Sequence, residues 1–284
     1  MENLTFQNGA VTLHAVAAGP KNGPVALLLH GFPEFWYSWH QQIDPLAAAG
    51  FRVIVPDQRG YNISSKPSGV KSYALSELVS DVIAIADQLG HERIFLAGHD
   101  WGAAVAWSVA LLHPDRVAKL AILNVPHPSV MRRYLMKNRR QLRKSWYMFF
   151  FQLPWLPETF LSASNFRRGI ASLAGSSRRG TFSADDLARY RAAWSQPGAL
   201  TAMINWYRAA FRRRTPFPDR TVRVPTRILW GVRDAFLMAE MARESLKYCT
   251  LGELITFPDA THWLQHEEPA RVSQLLIDFF TKPI

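Results

Sequence analysis

The sequence predicts an α/β fold: a mainly parallel sheet with helices on both faces and a block of helices inserted late in the chain. Three observations predict it. Short apolar runs alternate with longer stretches of helical periodicity, as successive βα units require. The run Val25–Leu29 (VALLL) is apolar at every residue rather than at every second one, as a strand buried on both faces requires. The alternation stops after Val125 and resumes near Thr226, roughly 100 residues later.

The elements follow in chain order. Val25–Leu29 (VALLL) is a buried strand, and 51–55 (FRVIV) is another. Residues 76–89 place Leu78, Val79, Val82, Ile83, Ile85, Ala86 and Leu89 at helical spacing, with Gly90 where a helix C-terminus calls for glycine. The strand 94–97 (IFLA) precedes a helix over Trp101–Leu112, which stops before His113-Pro114. A strand at 120–123 (LAIL) closes this half. Helices broken by loops are expected at 145–152, 157–162, 183–194 and 199–213, with Ser183 as an N-cap. The sheet resumes with Thr226–Gly231 and Gly252–Phe257, and a last helix ends the chain. The expected division is a core of residues 1–126 and 222–284 and a helical cap, or lid, of residues 127–221.

Composition narrows the class. With 48% hydrophobic and 19% charged residues, the 284-residue chain can bury a large core and is not disordered. One cysteine, Cys249, excludes an intrachain disulfide and fits a reducing compartment. The N-terminus shows no basic segment followed by an apolar run, and no apolar stretch nears the roughly 20 residues of a membrane span. A cytoplasmic protein is expected. The net charge is +11, and residues 131–144 carry seven Lys or Arg and no acid. A second basic stretch is Arg208, Arg212, Arg213 and Arg214. Both read as solvated helical faces; no nucleic-acid motif accompanies them, so no nucleic-acid partner is expected. A homo-oligomer is compatible with the sequence.

The chemistry is carried by Gly98-His99-Asp100-Trp101-Gly102, between an expected strand and an expected helix. This is the G-x-S-x-G nucleophile elbow of the α/β-hydrolase fold with aspartate in place of serine. The turn lifts its central side chain above the sheet, at the positive end of a helix, where Asp100 should stay ionised. That fold places an acid and then a histidine further along the chain. Asp234, past the strand at 226–231, and His262, past the strand at 252–257, fill those places. Taken singly, each reads as a turn residue or a half-buried histidine; three at three strand ends in the right order read as a triad. His30-Gly31-Phe32-Pro33-Glu34 follows the first strand, so the backbone N–H groups of Phe32 and Trp101 are the candidate oxyanion hole.

Aspartate limits the substrate. Attack by Asp on a carboxylic ester would give an anhydride, a poor intermediate. Attack on a saturated carbon gives an ester, which histidine-activated water can hydrolyse. The electrophile is therefore an epoxide or an alkyl halide. An epoxide leaves an attached alkoxide that needs a proton donor, whereas a halide needs only N–H donors.

HGFPEFWYSW, DQRGYNISSKP, GHDWGAAVAW and THWLQHEEP together resemble the α/β-hydrolase epoxide hydrolases of the soluble type. The resemblance runs from about residue 24 to the C-terminus. Within the cap, Trp146-Tyr147-Met148-Phe149 and Asn205-Trp206-Tyr207-Arg208 are similar to the family's two lid-tyrosine segments. The resemblance implies that Tyr147 and Tyr207 hydrogen-bond the epoxide oxygen, and that the product is a vicinal diol. Haloalkane dehalogenases share the HDWG elbow but generally carry Asn where Phe32 stands; fluoroacetate dehalogenases carry Arg where Trp101 stands. A haloalkane dehalogenase, or a non-catalytic small-molecule receptor of the same fold, are the other readings of these residues. Phe35, Trp36, Phe149 and Trp155 are expected to line an apolar substrate site. His99, His127 and His266 read as structural or solvent-facing. No metal-ligand spacing and no phosphate-binding glycine loop appears, so no metal and no cofactor are expected; the partners are a small apolar epoxide and water.

Overall fold

The computed structural model describes residues 1–213 and 215–283, so Arg214 lies outside the described residues. The strands are β1 (Glu2–Asn8), β2 (Val11–Ala18), β3 (Val25–Leu29), β4 (Arg52–Pro56), β5 (Ile94–His99), β6 (Val117–Leu123), β7 (Thr226–Gly231) and β8 (Gly252–Phe257). The helices are α1 (His40–Ala48), α2 (Leu75–Gln88), α3 (Trp101–Leu112), α4 (Pro128–Lys137), α5 (Arg139–Lys144) and α6 (Trp146–Phe150). They continue with α7 (Leu156–Gly175), α8 (Ala184–Trp194), α9 (Ala199–Arg212), α10 (Glu240–Leu246), α11 (Leu264–Glu267) and α12 (Pro269–Thr281).

The strands form one sheet in the order β1-β2-β4-β3-β5-β6-β7-β8. All neighbours from β4 to β8 are parallel; β1–β2 and β2–β4 are antiparallel. Every residue of β3, β4, β6 and β7 is buried, which is why their sequences lack polar alternation. Along β3 the side chains alternate between two cores. Leu27 and Leu29 join the residues of α2 and α3, while Ala26 and Leu28 join those of α1 and α12. The sheet is therefore covered on both faces.

The chain leaves β3 toward β4 on one side and returns to pair β5 on the other. A ligand crevice opens beyond the carboxyl ends of strands at such a reversal. Helices α4 to α9 are inserted between β6 and β7. A small core of Met148, Phe151, Ile204 and Tyr207 holds part of this insertion together and packs on Phe32 and Trp101.

The expected strands and the helices α2, α3, α8 and α9 appear within one or two residues of their sequence bounds, and β5 and β6 are longer by two and three residues. Ser183 caps α8 through a reciprocal capping box with Asp186. The expected helix at 157–162 is the first of two helical stretches within α7: Ala163 is extended and Ser164, Asn165 and Phe166 take left-handed backbone angles, so the helix breaks there before a second stretch runs on to Gly175. The basic stretch 131–144 forms α4 and α5, but it is not solvated throughout. Lys144 Nζ donates to the backbone oxygens of Asp234 (2.7 Å) and Ala235 (3.2 Å). Arg208 is likewise buried, against the surface position expected of it.

Candidate active site

Asp100 sits between the end of β5 and the start of α3, with φ +48° and ψ −123°. A non-glycine residue at such angles is held there by its surroundings at a cost of order 1–3 kcal/mol. The neighbours explain how the turn is tolerated. A Cβ on Gly102 would strike the backbone of Leu29 and His30, and one on Gly31 would strike the Asp100 side chain. Only glycine lets the β3 loop and the helix start approach this closely.

The geometry around Asp100 is directional. The backbone N–H of Phe32 donates to Oδ1 at 2.7 Å. His262 Nε2 lies 3.4 Å from Oδ2. The other ring nitrogen, Nδ1, donates to Asp234 Oδ2 at 2.7 Å. Asp234 is fixed in turn: Asn124 Nδ2 donates to Oδ2 (2.7 Å), and the N–H groups of Phe236 (2.7 Å) and Leu237 (2.9 Å) donate to Oδ1. The structure thus brings Asp100, His262, Asp234 and the Phe32 N–H together, although 162 residues separate the first two in the chain.

The charges answer one another. Burial alone would depress His262, but the Asp234 and Asp100 carboxylates raise it to about 10. Burial would raise both carboxyls, and the imidazolium reverses that, holding Asp100 and Asp234 below the usual range. The Phe32 N–H adds to the effect on Asp100. Asp100 is therefore an ionised, hydrogen-bonded carboxylate beside a protonated His262.

A cavity of about 250 Å³ opens above Asp100 and His262. Tyr147 on α6 and Tyr207 on α9 line it, with ring centroids 5.9 Å apart. Tyr207 packs edge-on against Trp101 at 5.0 Å and Phe32 at 5.3 Å. Burial first, and the Asp100 charge second, push both phenols well above 10, so both stay protonated donors at working pH. The rest of the wall is largely apolar, with Phe150, Phe151, Phe166, Leu173, Trp194 and Phe236 among the lining residues and Arg168 as a cation.

The four aromatic residues expected at this wall lie elsewhere. Phe35 is buried under the site, stacked on Tyr37 and edge-on to Tyr190. Trp36 is anchored by its backbone N–H on Asp57 and packs on both cores. Phe149 faces outward from α6 onto Phe211, because the inward turn is taken by Tyr147, Phe150 and Phe151. Trp155, in the loop before α7, is 70% exposed.

A second buried cluster lies behind His262. Glu34 accepts from His266 Nε2 (2.7 Å), Tyr190 Oη (2.9 Å) and Gln265 Nε2 (3.1 Å), and its Oε2 lies 3.0 Å from His99 Nδ1. His99 Nε2 donates to the backbone oxygen of His262 at 2.8 Å. His99 and His266 are thus structural and buried. So is His127, which accepts from the Ser129 N–H at the start of α4. Neither a metal-ligand cluster nor a helix able to cross a membrane is present among the described residues.

Comparison with known proteins agrees with this architecture. The family model described as "alpha/beta hydrolase fold" matches residues 24–269. The AB hydrolase superfamily protein YfhM of Bacillus subtilis is 45% identical over 95% of this chain and 94% of its own length. Epoxide hydrolase 4 of Homo sapiens is 39% identical over 97% of this chain and 77% of its own. Among solved structures, an epoxide hydrolase from Bacillus megaterium in complex with an inhibitor superposes with a TM-score of 0.90, at 32% identity, covering 98% of this chain and all of that one. The chain belongs to the α/β-hydrolase fold family, within its epoxide hydrolase branch. It is accordingly a hydrolase.

Proposed function

We propose that the protein hydrolyses apolar epoxides to vicinal diols through a covalent ester on Asp100. The observation that carries the reading is the pairing of an ionised aspartate with two protonated phenols across one cavity. Residues 1–126 and 222–284 act as the core unit in this reading, and residues 127–221 as the cap that supplies the phenols.

Asp100 Oδ1 is held by the Phe32 N–H, which leaves Oδ2 as the attacking atom. Attack on an epoxide carbon forms the C–O ester bond and breaks the ring C–O bond. The electron pair goes to the ring oxygen, which takes a proton from Tyr147 or Tyr207. Esterification removes the Asp100 charge, one of the two that hold His262 protonated. The imidazole can then shed its proton, which can restore the phenol, and take one from water. That water attacks the ester carbonyl carbon. The negative charge that builds on Oδ1 is met by the backbone N–H groups of Phe32 and Trp101. Asp234 holds the imidazole ring and balances its charge. Collapse breaks the Cγ–Oδ2 bond, and the departing alkoxide, which carries Oδ2 away, takes the proton held by the His262 imidazolium to complete the diol. The new Asp100 carboxyl, which keeps the water oxygen, then passes its proton to the imidazole and returns to the carboxylate.

The test is a parallel assay of aryl and alkyl epoxides and of haloalkanes, scoring diol and halide. Diol release at steady turnover, without halide release, supports the reading. Halide release without diol would replace it with a dehalogenase, and binding without turnover of either would replace it with a receptor.

A further inference from the structure

Charge is divided unevenly between the two parts of the chain. Residues 127–221 contain 18 of the 33 Lys and Arg but only 4 of the 22 Asp and Glu, a net +14, so the remainder is net −3. Some of these cations are committed internally: Arg208 to Glu158, Arg178 to Glu268, Arg133 to Glu244. Others are not. Arg132, Lys137, Arg139, Arg140 and Arg143 of α4 and α5 are exposed and have no acidic partner within 4.0 Å among the described residues.

The same segment leaves large apolar side chains in water. Trp155 is 70% exposed, Met136 68% and Trp146 60%, with Leu142 set among the arginines of α5. A solvated helical face would carry polar residues at these positions. Two of the exposed aromatics belong to the cavity wall: Trp146 and Phe160 both line it, and each packs on Phe150, with ring centroids 6.0 and 5.6 Å apart.

We propose that this basic and aromatic face docks on an anionic lipid bilayer, with Trp155 and Met136 entering the interface and the α4–α5 cations facing lipid phosphates. Exposed Trp beside Lys and Arg is the composition of interfacial membrane binding. Two copies of a +14 segment repel, so the face does not suit self-association. Nucleic acid would answer the cations but gives Met136 and Leu142 nothing to bury against. On the reading given above, apolar epoxides dissolve in the same bilayer and enter where Trp146 and Phe160 meet it.

The full chain is mixed with vesicles of phosphatidylcholine, with or without phosphatidylglycerol, and sedimented. At low salt it should bind the anionic vesicles, bind the neutral ones at least about tenfold more weakly, and release as salt rises. Each cation near an anionic surface strengthens binding roughly fivefold, so Arg139→Ser/Arg140→Ser/Arg143→Ser should weaken it roughly 100-fold. Trp155→Ser should weaken it about tenfold and abolish the blue shift in tryptophan emission. The triple arginine variant should still turn over a water-soluble epoxide at the parental rate, which reports intact folding. No vesicle binding at low salt, equal binding to neutral vesicles, parental binding by the triple variant, or retention on duplex DNA alone would overturn the proposal. Binding is read without turnover, so its failure is distinct from failure of the hydrolase reading.

Discussion

Asp100, Asp234 and His262 project from the ends of β5, β7 and β8, whereas Tyr147 and Tyr207 stand on α6 and α9 of the insertion. The first three are located by the hydrogen-bond ladder of one parallel sheet and by a shell of N–H donors around Asp234. The two phenols are located by side-chain packing in a separate small core. They are also located by Arg208, which donates to Glu158 Oε1 (2.6 Å) and to the backbone oxygens of Phe151 (3.1 Å) and Leu153 (2.7 Å). Arg208 thus ties α9 to the segment that follows α6. One wall is fixed by backbone and the other by side chains, so the two walls should fail differently. Damage to the Asp234–His262 pair of the sheet wall should slow release of the ester formed on Asp100, and damage to the insertion wall should slow its formation.

Asp234→Asn tests the sheet wall and carries the largest expected effect. Loss of the carboxylate removes the partner that sets the His262 tautomer, and ester hydrolysis should slow on the order of 10⁴-fold. Single-turnover kinetics should show ester formation slowed far less; equal loss in both steps would break the division between the walls.

Tyr147→Phe or Tyr207→Phe tests the other wall. Each should slow ester formation by roughly 10²- to 10³-fold, as for loss of one oxyanion donor, with ester hydrolysis little changed. The double variant should nearly stop ring opening. A double variant that opens epoxides at the parental rate would make both phenols packing residues.

Arg208→Ala sharpens the comparison, because it touches no reacting atom. A displacement of about 1 Å at the phenols can cost up to about 10²-fold, so ester formation should fall by no more than that and hydrolysis should stay near parental. Removing one partner of this largely buried pair should also destabilise the fold by about 3–5 kcal/mol. Urea titration with step-resolved kinetics reads both effects, and a loss confined to ester hydrolysis would contradict the assignment.

The smallest effect concerns pH and stability. His262 is raised to about 10 by Asp234 and Asp100, so its ion pairing favours the folded state fully below the unfolded value near 6.5. That contribution is lost as pH rises from 6.5 through about 10. The Tm advantage of the parent over His262→Gln should shrink across this window. A flat difference would mean that His262 is not held protonated.

The sheet wall was legible in the sequence because its signals are local. Largely apolar strand-length runs locate β3 to β7, and the elbow, the acid and the histidine each stand a few residues beyond a strand. The N-terminal hairpin carries no such signal, because the edge strand β1 buries few of its residues and shows no apolar run. The phenols were legible only through resemblance to a family, since nothing in their spacing requires two tyrosines 60 residues apart to meet. The lining is not legible in the sequence for a related reason. Which face of α6 turns inward depends on packing against α9, so Phe149 was expected where Phe150 and Phe151 stand. The Glu34 cluster was invisible because its partners lie 65 to 232 residues away in the chain.

The central claim is a covalent ester on Asp100, and intact mass spectrometry of His262→Gln tests it most directly. With the base removed, ring opening should proceed and ester hydrolysis should stall. After mixing with an aryl epoxide, the protein should gain the mass of one whole epoxide, and peptide mapping should place it on Asp100. A haloalkane would add only its alkyl group. An unmodified protein that binds the epoxide without turnover, or an adduct on any other residue, would contradict the account.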